Sequence, residues 1–324
     1  MRILVEHNGV LPVRAYGGTE RVLFWLMKEL VKKGHEVFLI ADPASRVTEF
    51  GIKLIPRTIQ GQDFRSLIPK GIDVIQVAYT PPDHLKFDCP VVVNIGGIGR
   101  KGEIFHPNTV FVSQKHAEIH GAKSFVYNGL DFSEYPFFPK KTQDWKDFLF
   151  LAKGSWKVKN LRDCIRACRK TSKHLHIAGG RTWWPSRYLH SYGMVSQEEK
   201  LPLLRKVDAL LWPVRWHEPF GIAIIEAFSQ GIPVVASPYG SLRELVTNES
   251  GILCENFEKF VKVIGEGGRK FDPEAIRAHA EKFNSSRMAD GYVRCYEKVL
   301  RGEGLNASPP MYCLEKVAED LLPF

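Results

Sequence analysis

Short apolar runs rich in Val, Ile and Leu recur along the whole chain, and stretches of helical period fill many of the gaps between them. Two strands joined across a helix pair in parallel, because an antiparallel pair needs only a tight turn whereas a parallel pair needs a long crossover. Residues 3–6, 36–40, 52–55, 74–77, 91–95, 110–112 and 124–127 form one series of strand-like runs. Residues 148–151, 174–178, 209–212, 234–236 and 251–254 form a second. Between the series, Pro136-Phe137-Phe138-Pro139 and the polar residues after it break both periodicities, as a domain boundary does. The expectation is an α/β protein of two doubly wound parallel-sheet domains, 1–138 and 139–285, with a closing helix and tail in 286–324.

The 324 residues suffice for two hydrophobic cores. No apolar run reaches the length of a membrane-spanning helix, and the chain opens directly on a strand-like segment, so a cytoplasmic protein without a leader is expected. Six scattered cysteines contain no C-x-x-C pair and are expected as free thiols. Cys164 and Cys168 share a helix face just before His174 and His176, but buried thiols are the better reading and no metal site is expected. A net charge of +9 points to an anionic partner. The chain has no nucleic-acid-binding module, so nucleic acid is disfavoured, while a phosphorylated ligand and a peripheral contact with anionic membrane are both compatible with the charge.

Chemistry concentrates in the loops that follow strands, where open parallel sheets bind ligands. After the run 209–212 and Pro213, Pro219 suits a first helical position, and 222–229 reads as a helix closed by Gly231. Glu218 thus stands in a strand-to-helix loop, and the helix start at Phe220-Gly221 offers free amides to an anion. Glu226 lies inside that helix among Ile222, Ala223, Ile224, Ile225, Ala227 and Phe228, so its carboxylate must be paired, hydrogen-bonded or at the rim of a cleft. Gly17-Gly18 precedes a helix over 21–33 and either admits a phosphate closely or simply turns the chain. Lys153, Lys157 and Lys159 surround the loop after 148–151, and Gly96-Gly97-Ile98-Gly99 follows 91–95. Ser196 with Glu199, and Ser241 with Glu244, have the spacing of capping boxes.

The run from Glu218-Pro219-Phe220-Gly221 through Glu226-Ala227-Phe228 and Gly231-Ile232-Pro233-Val234-Val235-Ala236 to Gly240 and Glu244 resembles the E-x7-E signature of the retaining family 4 glycosyltransferases, the glycosyl transferase group 1 proteins of GT-B fold. The resemblance implies two Rossmann-like domains facing across a cleft, the first on the acceptor side and the second on the donor side. It also implies transfer of a sugar, with retention, from a nucleotide diphosphate sugar to an acceptor hydroxyl on a glycan, glycolipid or small molecule, as in cell-envelope glycan synthesis. By the same resemblance Glu226 holds the ribose and Glu218 lies near the transferred sugar and its leaving diphosphate. Lys153 and Lys159 meet the donor phosphates, Lys153 standing where arginine is usual and lacking its bidentate fork. Gly17, Gly18, Phe220 and Gly221 supply amides to the diphosphate, and the backbone at Val195 meets the nucleobase. Glu218, Lys153 and Lys159 are therefore the expected catalytic set, with the nucleotide sugar as co-substrate and neither metal nor cofactor.

The sequence departs from the family at Gly96 and Gly97, where many members have a histidine. His84 and His106 are near but match no motif, so no catalytic histidine is assigned. Residues 287–296 resemble the closing helix that returns to the first domain, whereas 302–324 match nothing. A nucleotide-sugar epimerase and a non-catalytic sugar-nucleotide-binding relative are the alternatives; a dehydrogenase is disfavoured because the G-x-G-x-x-G fingerprint is missing.

Overall fold

The computed structural model describes residues 1–13, 17–59, 63–139, 144–182, 186–267, 270–314 and 321–324, and it resolves into two compact units. The first contains β1 (Arg2–Glu6), α1 (Gly18–Lys32), β2 (Glu36–Ala41), β3 (Lys53–Pro56), β4 (Val74–Val77), β5 (Val91–Ile95), β6 (Thr109–Phe111) and α2 (Gln114–Ile119). Its sheet is parallel throughout, in the order β3-β2-β1-β4-β5-β6. The central strands are almost wholly buried, which is why they read as continuous apolar runs and not as alternating ones. Leu4, Ile40, Ile75 and Val93 lie at the heart of one core cluster. α1 buries Trp25, Leu26, Met27 and Leu30 along one face.

The second unit contains β7 (Asp147–Leu151), α3 (Leu161–Lys170), β8 (His174–Ala178), β9 (Leu189–Gly193), α4 (Gln197–Lys206), β10 (Ala209–Trp212), α5 (Ile222–Ser229), β11 (Val234–Ala236), α6 (Leu242–Leu245), β12 (Gly251–Leu253), α7 (Phe257–Glu266) and α8 (Pro273–Ala280). Its parallel sheet runs β9-β8-β7-β10-β11-β12. Numbered from its own first strand, each sheet has the order 3-2-1-4-5-6, so each has a point where the winding reverses. Those points lie between β1 and β4 and between β7 and β10, and the loops leaving them are where doubly wound sheets take their ligands.

After α8 the chain returns to the first unit as α9 (Ser285–Leu300), capped by Asn284, whose side chain accepts the Arg287 N–H at 2.8 Å. α9 packs along α1, with Lys33 on Asp290 at 2.7 Å. Two fully buried tyrosines tie it to the sheet: the Asn94 amide donates to the Tyr292 hydroxyl, and the Tyr296 hydroxyl donates to Gln76 Oε1.

The elements differ from the sequence expectation in three places. Residues 124–127 are not a strand; Phe125 makes a single parallel bridge to Phe111, because β6 is a three-residue edge strand that gives a neighbour little to pair with. β9, Leu-His-Ser-Tyr-Gly, escapes notice because an edge strand with a half-solvated face needs no β-branched residues. The chain also enters the second unit between Gly129 and Leu130, ahead of the proline-rich stretch, since Tyr135 is already fully buried among second-unit side chains. Residues 140–143 of the expected linker, and 15–16 of the stretch before the first glycine pair, lie outside the described residues.

Cys164 and Cys168 are buried in α3, and burial raises both thiol pKa values. Among the described residues, no cluster of three His, Cys, Asp or Glu is placed to hold a metal, and no helix is long and apolar enough to cross a membrane.

Candidate active site in the second unit

Glu218 lies in the loop that leaves β10, at the point where the second sheet reverses its winding. A neighbouring segment holds that loop in place. Ser237 N–H donates to Trp212 O at 3.2 Å and its hydroxyl to Val214 O at 2.7 Å; Ser241 N–H donates to Glu218 O at 3.0 Å and its hydroxyl to Phe220 O at 2.8 Å. Between them, Gly240 sits at φ +63°, where a Cβ would fall 2.4 Å from Glu218 N and 2.3 Å from Glu218 O. Only glycine lets these two backbones meet.

Two expectations about this region are corrected. Ser241 makes no side-chain cap on α6; its hydroxyl is turned to Phe220. Pro219 precedes the helix and does not begin it, because Gly221, at φ +89°, is the N-cap of α5 and turns the chain into the first helical residue, Ile222.

The Glu218 carboxylate is 5 % exposed and accepts four hydrogen bonds. Lys159 Nζ reaches Oε1 at 3.0 Å and Oε2 at 2.7 Å, and the indoles of Trp212 and Trp216 donate to Oε2 at 3.2 and 3.0 Å. The same ammonium lies 4.9 and 4.6 Å from the two indole rings, so Lys159 is held by a carboxylate and two π-faces at once. The β7 loop that carries it is joined to the β10 loop: Arg215 N–H donates to Val158 O at 2.7 Å, and the Asn160 amide donates to Pro213 O at 2.9 Å. Glu218, expected near the transferred sugar and its leaving diphosphate, and Lys159, expected on the donor phosphates, thus form one neutral buried pair. Lys153 stands apart from them, exposed, with Nζ 5.5 Å from the Trp156 ring. Trp212 and Trp216 escape a sequence reading because an indole beside an apolar strand looks like core.

Glu226 is 4 % exposed in the middle of α5. Its Oε1 accepts the Tyr135 phenol at 2.6 Å and the Lys200 ammonium, both buried; Gln197 Oε1 is 3.1 Å from the same phenol. Lys200 belongs to α4, whose first turn is a capping box: Ser196 Oγ accepts the Glu199 N–H at 3.3 Å and Glu199 Oε2 the Ser196 N–H at 2.8 Å. Val195 is half-buried immediately before that box. The site therefore joins Val195, Lys200 and Glu226 through one helix. Phe220 is buried edge-on against Phe283, and Gly221 is partly exposed at the start of α5.

Gly17 and Gly18 lie in the first unit, where Gly17 is the N-cap of α1 and Gly18 its first residue. The strand-end loop Gly96-Gly97-Ile98-Gly99 is held by two histidines that the sequence does not single out. His116 Nε2 donates to Gly97 O at 3.0 Å while its Nδ1 accepts the Val112 N–H at 3.4 Å; His120 Nδ1 donates to His116 O at 2.8 Å while its Nε2 accepts the Gly99 N–H at 3.3 Å. Each ring is thus neutral, with its tautomer set by one backbone acceptor and one backbone donor. Burial depresses His116 to about 3.

Two parallel six-stranded sheets wound in this way are the α/β architecture of GT-B proteins, and solved glycosyltransferases share it. AviGT4, a glycosyltransferase involved in Avilamycin A biosynthesis, superposes with a TM-score of 0.74 at 21% identity over 93% of this chain and 98% of its own. Anabaena HepE, in complex with UDP-glucose, gives 0.65 at 14% identity over 92% of this chain and 99% of its own. In sequence, residues 146–266 match the family model described as "Glycosyl transferases group 1". The D-inositol 3-phosphate glycosyltransferase of Segniliparus rotundus is 30% identical over 145 residues, which are 42% of this chain and 30% of that protein. Such matches span about a third of the length of the curated relatives.

Proposed function

We propose that this protein is a retaining glycosyltransferase that moves a hexose from a nucleotide diphosphate sugar to an acceptor hydroxyl. The observation that carries the reading is the pair of buried glutamates, Glu218 and Glu226, on the loop and helix that leave the reversal point of the sheet matched by the group 1 family model. Glu226 would hold the ribose, with the nucleobase against the backbone at Val195. The diphosphate would lie over the start of α5 at Phe220-Gly221, with Lys153 and Lys159 stabilising it as it departs. The UDP-glucose named in the complex of the structurally similar Anabaena protein supports a sugar nucleotide as donor.

In this reading Lys159 changes partners. A diphosphate near it competes with Glu218 for the ammonium, and the carboxylate so released faces the sugar. Attack from the leaving-group side, with a phosphate oxygen taking the acceptor proton, requires no protein base, in keeping with histidines 116 and 120 being occupied by backbone. The donor is the co-substrate and no metal or cofactor takes part; the acceptor is a glycan, glycolipid or small molecule, reached in the cytoplasm or at an anionic membrane face.

The test is a thermal-shift titration with UDP, GDP and ADP, followed by incubation with the sugar nucleotides of whichever base binds. At least one diphosphate is expected to raise the melting temperature by mass action. NMR of the product is expected to show the anomeric configuration of the donor. No shift with any of the three defeats the donor site, and an inverted product defeats retention.

A further inference from the structure

We infer that Tyr135 and Lys200 are positioning residues that aim Glu226 at a ribose hydroxyl, so that together they set a preference for ribonucleotide over deoxyribonucleotide donors. The inference rests on the nucleotide-sugar reading above and concerns the same site. A carboxylate is free to turn about its last side-chain bond, because rotation between an sp³ and an sp² carbon has broad, shallow wells. At Glu226 that freedom is removed from one side only. The phenol of Tyr135, at 2.6 Å, and the ammonium of Lys200 both donate to Oε1, and among the described residues Oε2 receives no donor.

The two donors come from separate elements, Tyr135 from the segment before β7 and Lys200 from α4, and both are as deeply buried as the carboxylate they hold. Their convergence holds Oε1 and leaves Oε2 as the oxygen open to a ligand. Lys200 also supplies the opposite charge beside the carboxylate inside α5. The remaining oxygen, Oε2, is then a pre-aimed anionic acceptor for a hydroxyl donor. With both lone-pair sites of Oε1 filled, a vicinal diol cannot bridge the two oxygens, and contact falls to Oε2 alone. A ligand lacking that hydroxyl would leave Oε2 without its partner.

The experiment is isothermal calorimetry of wild type, Tyr135→Phe and Lys200→Met with the diphosphate among UDP, GDP and ADP that binds, and with its 2′-deoxy and 3′-deoxy forms. Wild type is expected to prefer the ribonucleotide over at least one deoxy form by about ten- to a hundred-fold, the range of one charge-assisted hydrogen bond. Tyr135→Phe, which removes one donor without changing charge, is expected to narrow that preference several-fold while the affinity for the deoxy form stays the same. Lys200→Met is expected to narrow it further, with a lower melting temperature recorded alongside. A purely structural role would weaken ribo and deoxy forms by the same factor. Equal weakening, an unchanged preference in Tyr135→Phe, or a wild type that binds but does not discriminate overturns the inference and leaves the donor site standing. A wild type that binds none of the diphosphates overturns both.

Discussion

A buried carboxylate that neutralises a buried ammonium cannot be altered alone. From the sequence, Glu226→Gln looks nearly silent for folding, because the amide has the shape of the acid and packs against the same Ile225 and Phe228. The structure reverses that expectation: Lys200, 6 % exposed, would lose the counter-charge of Glu226. Removing one member of a buried pair costs about 3–5 kcal/mol. Glu226→Gln is therefore expected to lower the urea midpoint markedly at pH 7, and Glu226→Gln with Lys200→Met to recover most of the loss; a single variant as stable as wild type would contradict the pairing. Glu226 was legible because a lone acid in an apolar helix demands an explanation. Lys200 was not, because it reads as an ordinary helical lysine, and only the fold brings it to Glu226.

Among elements, the β10–α5 loop depends on parts distant in sequence. Gly240→Ala would require a side chain at φ +63° and place its Cβ inside the Glu218 backbone, so the loop must move. We expect diphosphate affinity to fall at least tenfold, as the loss of one charged hydrogen bond would give, with a lowered melting temperature; calorimetric titration with unchanged affinity would show that the loop tolerates displacement. The segment 321–324, which matches no motif, closes on the same region. Leu322 N–H donates to Arg215 O at 2.8 Å, Arg215 Nε donates to Leu322 O at 2.6 Å, and the Tyr239 hydroxyl donates to Pro323 O, while Phe324 packs edge-on against Phe260. Replacing Leu322 and Phe324 by alanine is expected to speed amide hydrogen exchange in 213–217 while leaving β1 and β2 unaffected. The Ser196–Glu199 capping box was visible in the sequence, as was the helix 222–229. The roles of Ser241 and 321–324 were not, because a hydroxyl or a tail reveals its partner only after the chain has folded back on it.

Across the molecule, histidines introduce a common acid sensitivity. Burial lowers the pKa of His116 to about 3 and depresses His7, His106, His120 and His176 as well. The unfolded chain binds protons at these rings below about pH 6.5 while the folded chain does not, so stability is full above that pH and is lost as pH falls toward 3. For His116 alone the slope is about 1.4 kcal/mol per pH unit within that window. His116→Gln, which keeps a donor and an acceptor for Gly97 and Val112, is expected to flatten the pH dependence of the urea-derived stability between pH 6 and 4; an unchanged slope would remove His116 as a contributor. The doubly wound architecture was readable from the alternation of apolar runs with helices, because strands buried on both faces have to be apolar. The unit boundary was not, because Tyr135 belongs by packing to the side its neighbours in sequence do not suggest.

The return of α9 to the first unit has a consequence for the order in which this protein is made. Gly129 and Asn284, the last residue before the second unit and the first after it, lie against each other: a Cβ on Gly129 would meet Asn284 O at 2.5 Å. Nearly all of the second unit is thus one unbroken insertion. While a ribosome is still synthesising residues 130–283, the first unit lacks the helix that covers α1 and β5, so its buried tyrosine bonds to Asn94 and Gln76 cannot form. The domain encoded second can therefore close first, against the usual amino-to-carboxyl order of folding during synthesis. A released chain ending at residue 283 should show protease resistance in 147–280 while 1–129 is still cut. The helix made after the second unit would then complete the part made before it.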